Sequence, residues 1–379
     1  MKALSYASSA DPAFDDIRPC YDHEVPGEIA KIIADRQLVD SIIRFSYPRL
    51  AHGCAWAARP LVRRALRRRL GRITTVREFQ EQVAVFMRGM IATTTSGVDY
   101  HGFEALDPGQ GYLFISNHRD ISLDPAFIDM ALYESGLDTV RIAIGDNLLR
   151  TQAATSLMRL NKSFIVRRAP VPRHEKLREL TKLSAYIGLS LREHHSVWIA
   201  QREGRAKNGD DKTEAAVLKM LYVYGRSLGL SFREYIASLN LVPVSITYEY
   251  DPGDLDKARE LHAKETAGTY VKSELEDLLS IAGGIKGFKG HVSIVAGAPL
   301  REGFETPEEL AALIDRFIYE HYRLYPSILL AARAQPEQRG PECDFFSRRL
   351  DSYPQELRGL VLSMYAMPYI NLQKLKNGI

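Results

Sequence analysis

From about residue 110 to 300, short apolar or β-branched runs alternate with helical patterns, and this alternation limits the fold more than any other feature of the chain. Candidate strands lie at 112–115, 140–144, 163–166, 196–200, 242–248 and 291–295. Helical stretches at 125–135, 148–160, 175–193 and 213–228 separate them. A crossover helix returns the chain to the same end of a sheet, so strands and helices taken in turn favour parallel pairing. The expected fold is α/β, a three-layer αβα domain with a largely parallel mixed sheet, preceded by basic amphipathic helices and followed by a helical tail. The more polar 253–290 reads as a helical insertion or cap before the last strand. A Thr-Pro-Glu-Glu start predicts an amphipathic helix over 306–322. Residues 335–344, rich in Pro, Gln and Gly, read as a loop, and 354–375 as a helix apolar enough to dock on the domain or on lipid.

With 379 residues there is room for one large α/β domain with extensions, or for two domains. The apolar fraction of 45% is ordinary for a globular protein, so a substantial core can be buried. Cys20, Cys54 and Cys343 are scattered without a CxxC, which argues against a disulfide scaffold or zinc site and favours a reducing compartment. No metal is expected. Residues 1–16 lack the basic and apolar segments of a signal peptide. No apolar run approaches the ~20 residues of a membrane span, so a peripheral, cytoplasmic protein is expected.

Charge is unevenly spread. No acid occurs from Ser41 to Arg77, where Arg44, Arg49, Arg59, Arg63, Arg64, Arg67, Arg68, Arg69, Arg72 and Arg77 are interleaved with Trp56, Leu50, Leu61 and Leu66. One or two amphipathic helices, broken near Gly53 and Pro60, fit this pattern. Such helices suit the headgroup region of an anionic membrane. A solvated helix with arginine stems on apolar surface, or a nucleic-acid contact, is the other reading. Three segments follow: 1–89, helical, basic and membrane-associating; 90–300, the α/β domain; and 301–379, a C-terminal helical extension.

Polar groups cluster where the strands end, which is where open α/β sheets bind ligands. Asn117-His118-Arg119-Asp120 follows the first strand, with Asp124-Pro125 starting a helix; Gly145-Asp146-Asn147 follows the second and Arg167-Arg168 the third. Gln201-Arg202-Glu203-Gly204-Arg205-Ala206-Lys207 follows the fourth. A histidine oriented by a carboxylate can take the proton of an alcohol as that alcohol attacks an acyl group. Arginine forks suit phosphate. Asp146-Asn147 reads equally as the cap of a helix beginning at Leu148, and 203–209 as a solvated turn. The residues together point to a histidine base beside an anionic, phosphorylated substrate.

In this order the segments resemble the motif blocks of the glycerolipid acyltransferase superfamily, whose members esterify glycerol 3-phosphate, its monoacyl derivative or related lysophospholipids. Asn117-His118…Asp124-Pro125 is similar to the histidine–aspartate block, and Ser163-Phe164-Ile165-Val166-Arg167-Arg168 to the second. Trp198 through Arg205 resembles the third, and Leu241-Val242-Pro243-Val244-Ser245-Ile246-Thr247-Tyr248-Glu249 the fourth. The likeness covers roughly residues 90 to 300. It implies His118 as general base, Asp124 orienting it, and Arg167 and Arg168 on the acceptor phosphate. Glu203, Gly204, Arg205 and Lys207 would shape the acceptor site, Asn117 and Arg119 would lie in it, and Pro243 would support it. It also implies an acyl thioester donor, on coenzyme A or acyl carrier protein, and no further cofactor.

One departure falls in the first block. Five residues separate His118 from Asp124, where the family usually has four. Either the loop bulges so that Asp124 still reaches the imidazole, or Asp120 takes the role; Asp124-Pro125 also begins the next helix, which favours Asp124. His118-Arg119-Asp120 imitates a protein-kinase loop, but Pro125 occupies the position where that loop needs asparagine. Nucleic acid would explain the arginines but not the strand-end cluster, so it is not an expected partner. The expected activity is acyl transfer from a thioester to 1-acylglycerol 3-phosphate or glycerol 3-phosphate at an anionic membrane surface. The rival is a peripheral protein that binds anionic lipid without turnover.

Overall fold

The computed structural model describes residues 6–46, 55–168, 172–273, 276–333 and 341–378. Among them run seven strands: β1 (Gly97–His101), β2 (Leu113–Ser116), β3 (Arg141–Gly145), β4 (Ser163–Val166), β5 (Val197–Ala200), β6 (Leu241–Tyr248) and β7 (His291–Ala296). They divide between two compact units that do not follow chain order: the first contains 87–140 and 177–379, the second 10–86 and 141–176. The residues after 300 fall in the first unit.

In the first unit the strands lie in the order β1-β7-β6-β2-β5. The pairs β1–β7, β2–β6 and β2–β5 are parallel, whereas β6–β7 is antiparallel. The sheet is thus mixed and largely parallel. Leu113, Phe114 and Ile115 are completely buried, as expected for a central strand covered on both faces. Side chains alternate along β6, and its neighbours define the layers. Ser245 donates to the Ile318 carbonyl of the Pro307–Glu320 helix. Tyr248, of opposite parity, meets Asp124 and Phe127 of the Leu123–Glu134 helix. Helices accordingly cover opposite faces, which makes three layers.

The Thr306 capping box forms as the sequence predicts, Thr306 Oγ1 accepting from Glu309 N and Glu309 accepting from Thr306 N. Two helices, Asp254–Ala267 and Glu276–Lys286, fill the segment read as an insertion. The expected loop at 335–344 is different: Pro341 opens a helix to Asp351, because proline is well placed in a first turn. Its positions 335–340 lie outside the described residues. A last helix spans Gln355–Lys376. Its Leu357, Val361, Met364 and Tyr365 pack with Tyr250, Ala258 and Phe346. Arg349 clasps both oxygens of the buried Asp254, each at 2.9 Å.

The second unit contains the parallel pair β3–β4 and the helices Val25–Ala34, Arg36–Ser46, Ala55–Leu70 and Gln152–Leu160. Ile29, Ile32, Ile33, Ile73, Phe79 and Leu160 form its core. Pro60 does not break its helix, which runs through it; Arg49, Leu50, Gly53 and Cys54 lie outside the described residues. The helix predicted from Leu148 begins at Gln152 instead, because Thr151 Oγ1 caps Ala154 N and Asp146–Leu148 forms a separate 3-10 turn. Among the described residues, no helix is long and apolar enough to cross a membrane.

Candidate active site

Parallel strands β2, β5 and β6 end at one edge of the sheet, and their following residues meet there. Asn117 through Asp120 leave β2, Gln201 through Lys207 leave β5, and Tyr248 closes β6. Backbone bonds join the first two: Gln201 N donates to the Ser116 carbonyl at 2.9 Å and Ala206 N to that of His118 at 3.0 Å.

His118 Nδ1 lies 2.8 Å from Asp124 Oδ2. The same oxygen accepts the backbone N–H groups of Arg119 at 2.7 Å and Asp120 at 2.9 Å. The extra residue between His118 and Asp124 is absorbed by folding the loop around this carboxylate, so both neighbouring amides point at it. Tyr248 Oη donates to the other oxygen, Oδ1, at 2.7 Å. Asp124 is completely buried while the His118 ring keeps 13% of its surface. A carboxylate that already accepts three other donors takes the Nδ1 proton as well, leaving Nε2 as the acceptor face of the ring. Trp198 of β5 stands edge-on to the imidazole, 5.7 Å between centroids, and its indole N–H donates to Ser116 Oγ.

Asp120 does not pair with His118. Its Oδ1 accepts from Ser122 N at 3.0 Å and Leu123 N at 2.9 Å, which caps the start of the helix. Burial, then the nearby Asp124 charge, push its carboxyl above the ordinary range. Gly284 presses against it: a Cβ there would come within 2.4 Å of Asp120 Oδ2.

Asn117 and Arg119, expected in the substrate site, are buried in the scaffold instead. Asp211 Oδ2 accepts from Asn117 Nδ2, from Arg119 Nε and Nη2, and from Tyr322 Oη, at 2.6 to 3.0 Å. Arg119 also donates to the Gly209 carbonyl. Burial alone would lower its guanidinium, but Asp211 holds it above the ordinary value. Asn117 further exchanges two hydrogen bonds with the backbone of Ile246. These contacts fix the loop that carries His118. Sequence reasoning missed Asp211 and Tyr322 because neither sits in a motif; Tyr248 lay within the fourth block, but its partner was not legible.

In the third block, Lys207 pairs with Glu260. Arg205 Nη1 donates to Ser280 Oγ at 2.7 Å. Glu203 is exposed, its backbone N–H donating to Glu214. Gly204 has a positive φ of 74°, a conformation glycine accepts readily. Pro243 is buried within β6 opposite Ile115. Arg167 and Arg168 belong to the second unit, where Arg167 pairs with Asp16 and Arg168 N donates to Asp146. Gly145 makes room for the latter side chain, since a Cβ would lie 2.6 Å from Arg168 Nε. Among the described residues no group of three or more His, Cys, Asp or Glu is placed to hold a metal ion.

An α/β unit with a carboxylate-oriented histidine at the ends of its parallel strands has the layout of an enzyme that uses a histidine base. Residues 97–245 match the Acyltransferase family. The protein is an acyltransferase. Among solved structures, the chain is similar to the 1-acyl-sn-glycerophosphate (LPA) acyltransferase PlsC from Thermotoga maritima. Identity is 13%, coverage 78% of this chain and 93% of that one, and the TM-score 0.37. No curated protein is significantly similar in sequence.

Proposed function

We propose that the enzyme transfers a fatty acyl group from a thioester of coenzyme A or acyl carrier protein to the hydroxyl of a glycerol-phosphate acceptor, 1-acylglycerol 3-phosphate ahead of glycerol 3-phosphate. The observation that carries this reading is the hydrogen bond from His118 Nδ1 to the buried Asp124. It leaves Nε2 to take the acceptor's proton as the oxygen attacks the thioester carbonyl. Asp124 then stabilises the imidazolium. Collapse of the tetrahedral adduct breaks the C–S bond, and the departing thiolate receives the proton from Nε2. A thioester is already activated, so no covalent enzyme intermediate is required. Arg205 is our candidate for the acceptor phosphate, since its fork is only partly engaged by the neutral Ser280 hydroxyl.

The partner surface is an anionic membrane. In the Ala55–Leu70 helix, Trp56 and Leu61 are 72% and 70% exposed. Arg64, Arg67, Arg68 and Arg69 are exposed on the same helix, a combination suited to the headgroup region.

Thiol release from acyl-coenzyme A or acyl carrier protein, measured on anionic and neutral vesicles with each acceptor in turn, tests the proposal. Acceptor-dependent release, faster on anionic vesicles and lost in His118→Ala, is expected. Release that persists in His118→Ala would remove the histidine base, and no release with either acceptor or donor would leave a lipid-binding protein without this reaction.

A further inference from the structure

We propose that Tyr248 is a positioning residue of the acyl-transfer site, forming with Asp124 and His118 a three-member relay in which the phenol fixes the carboxylate that fixes the base. The inference rests on the reading of His118 as general base.

The two oxygens of Asp124 are served very differently. Oδ2 accepts from His118 Nδ1 and from two backbone amides. Oδ1 has a single donor among the described residues, Tyr248 Oη at 2.7 Å. Asp124 has no exposed surface, so water does not substitute for a missing donor without rearrangement. Tyr248 arrives from a different element, the last residue of β6, so it pins the carboxylate to the sheet while the amides pin it to the loop. Its ring lies edge-on to Phe127, 6.0 Å between centroids, in the helix that carries Asp124. Phenylalanine would fill the same space; the hydroxyl is there for Asp124.

A carboxylate acting on an imidazole must keep its charge and its orientation while the proton arrives at Nε2. The phenol supplies the orientation by anchoring the far oxygen, and it draws part of the negative charge toward itself. The ionisable groups around the hydroxyl are Asp124, Asp120 and Asp251. Burial first, then Asp124 and Asp120, push the Tyr248 phenol far above its ordinary range, which keeps it a donor throughout the working pH range. Without the hydroxyl, Asp124 concentrates its charge toward His118 and holds an imidazolium more tightly. His118 would then become neutral, and competent as a base, only at higher pH.

The test is Tyr248→Phe, read by steady-state kinetics against pH and by NMR titration of the His118 ring in the substrate-free protein. A fall in kcat of roughly tenfold to a hundredfold is expected, with KM for donor and acceptor nearly unchanged. The acid limb of the pH profile and the ring titration should both move to higher pH. Site-specific 3-fluorotyrosine at Tyr248, a stronger donor, should move the ring titration the opposite way, and it serves if the Phe variant does not fold. Wild-type kcat and an unmoved ring titration in a folded Tyr248→Phe protein would overturn the relay. Should the ring titration move while the wild-type enzyme turns over neither acceptor, the relay stands and the proposed acceptor chemistry falls.

Discussion

Two acids, Asp120 and Asp124, lie within reach of His118 along the chain, and their backbone surroundings give them different work. Asp124 accepts the amides of Arg119 and Asp120 on the oxygen that also meets the imidazole. Asp120 accepts the amides of Ser122 and Leu123 and so belongs to the helix start. Asparagine preserves an acceptor oxygen at either position but removes the charge. Asp124→Asn should lower kcat at least about a hundredfold, since the imidazolium loses its counter-charge and the ring its fixed tautomer. Asp120→Asn should keep kcat within about fivefold, because capping needs only an acceptor. Equal losses in the two variants, measured by thiol release, would contradict this division. The histidine and both acids were legible in the sequence, but the choice between them was not. It depends on which carboxylate the loop amides surround, and residue order carries no record of that. Asn117 and Arg119 were legible as polar residues beside the histidine, yet their partner Asp211 is roughly ninety positions away and in no motif.

At the scale of elements, β2 through β7 were readable because buried strands carry short apolar or β-branched runs. β1 was not, since Gly97-Val98-Asp99-Tyr100-His101 is half-buried and polar, as an edge strand is. The junction between the β5 loop and the Pro307–Glu320 helix likewise has no sequence signature. There, Thr213 N donates to Asp315 Oδ1 at 2.8 Å. Burial raises the Asp315 carboxyl from its ordinary 3.8 to about 6. The sign of its effect on stability follows from linkage: between about pH 4 and 6 the folded state holds a proton that the unfolded chain releases, so stability falls as pH rises through that window. The contribution is on the order of 1–2 kcal/mol once partial exposure is allowed for. Asp315→Asn keeps the acceptor for Thr213 and cannot ionise. Its Tm should exceed that of the wild type at pH 7 and match it at pH 4. A constant difference at both pH values would mean that the charge is not the cause.

For the whole molecule, the C-terminal helices decide whether the α/β unit can stand alone. The sequence marked 354–375 as helical and apolar but left its docking surface open, because the same apolarity suits a protein core or lipid. In the structure that helix closes a core with Tyr250, Ala258 and Phe346. It also reaches the polar scaffold: Tyr365 Oη donates to Asp254 Oδ2 at 3.0 Å and accepts from Asp251 N at 2.8 Å. At Gly209, φ is +78° and a Cβ would come within 2.2 Å of the Met364 carbonyl, so the two backbones are in close contact. The Gly209 carbonyl in turn accepts from Arg119, next to the histidine. A chain ending at Ser352 would expose the apolar faces of Tyr250 and Phe346 and strip Asp251 N and Asp254 of the Tyr365 hydroxyl. Losing even four of the buried side chains costs roughly 1.5–3 kcal/mol each, comparable to the entire stability of a typical domain. The fragment should therefore be insoluble or lack a cooperative melt. Recovery of a soluble fragment with a cooperative transition would show instead that the helix is an accessory to the fold.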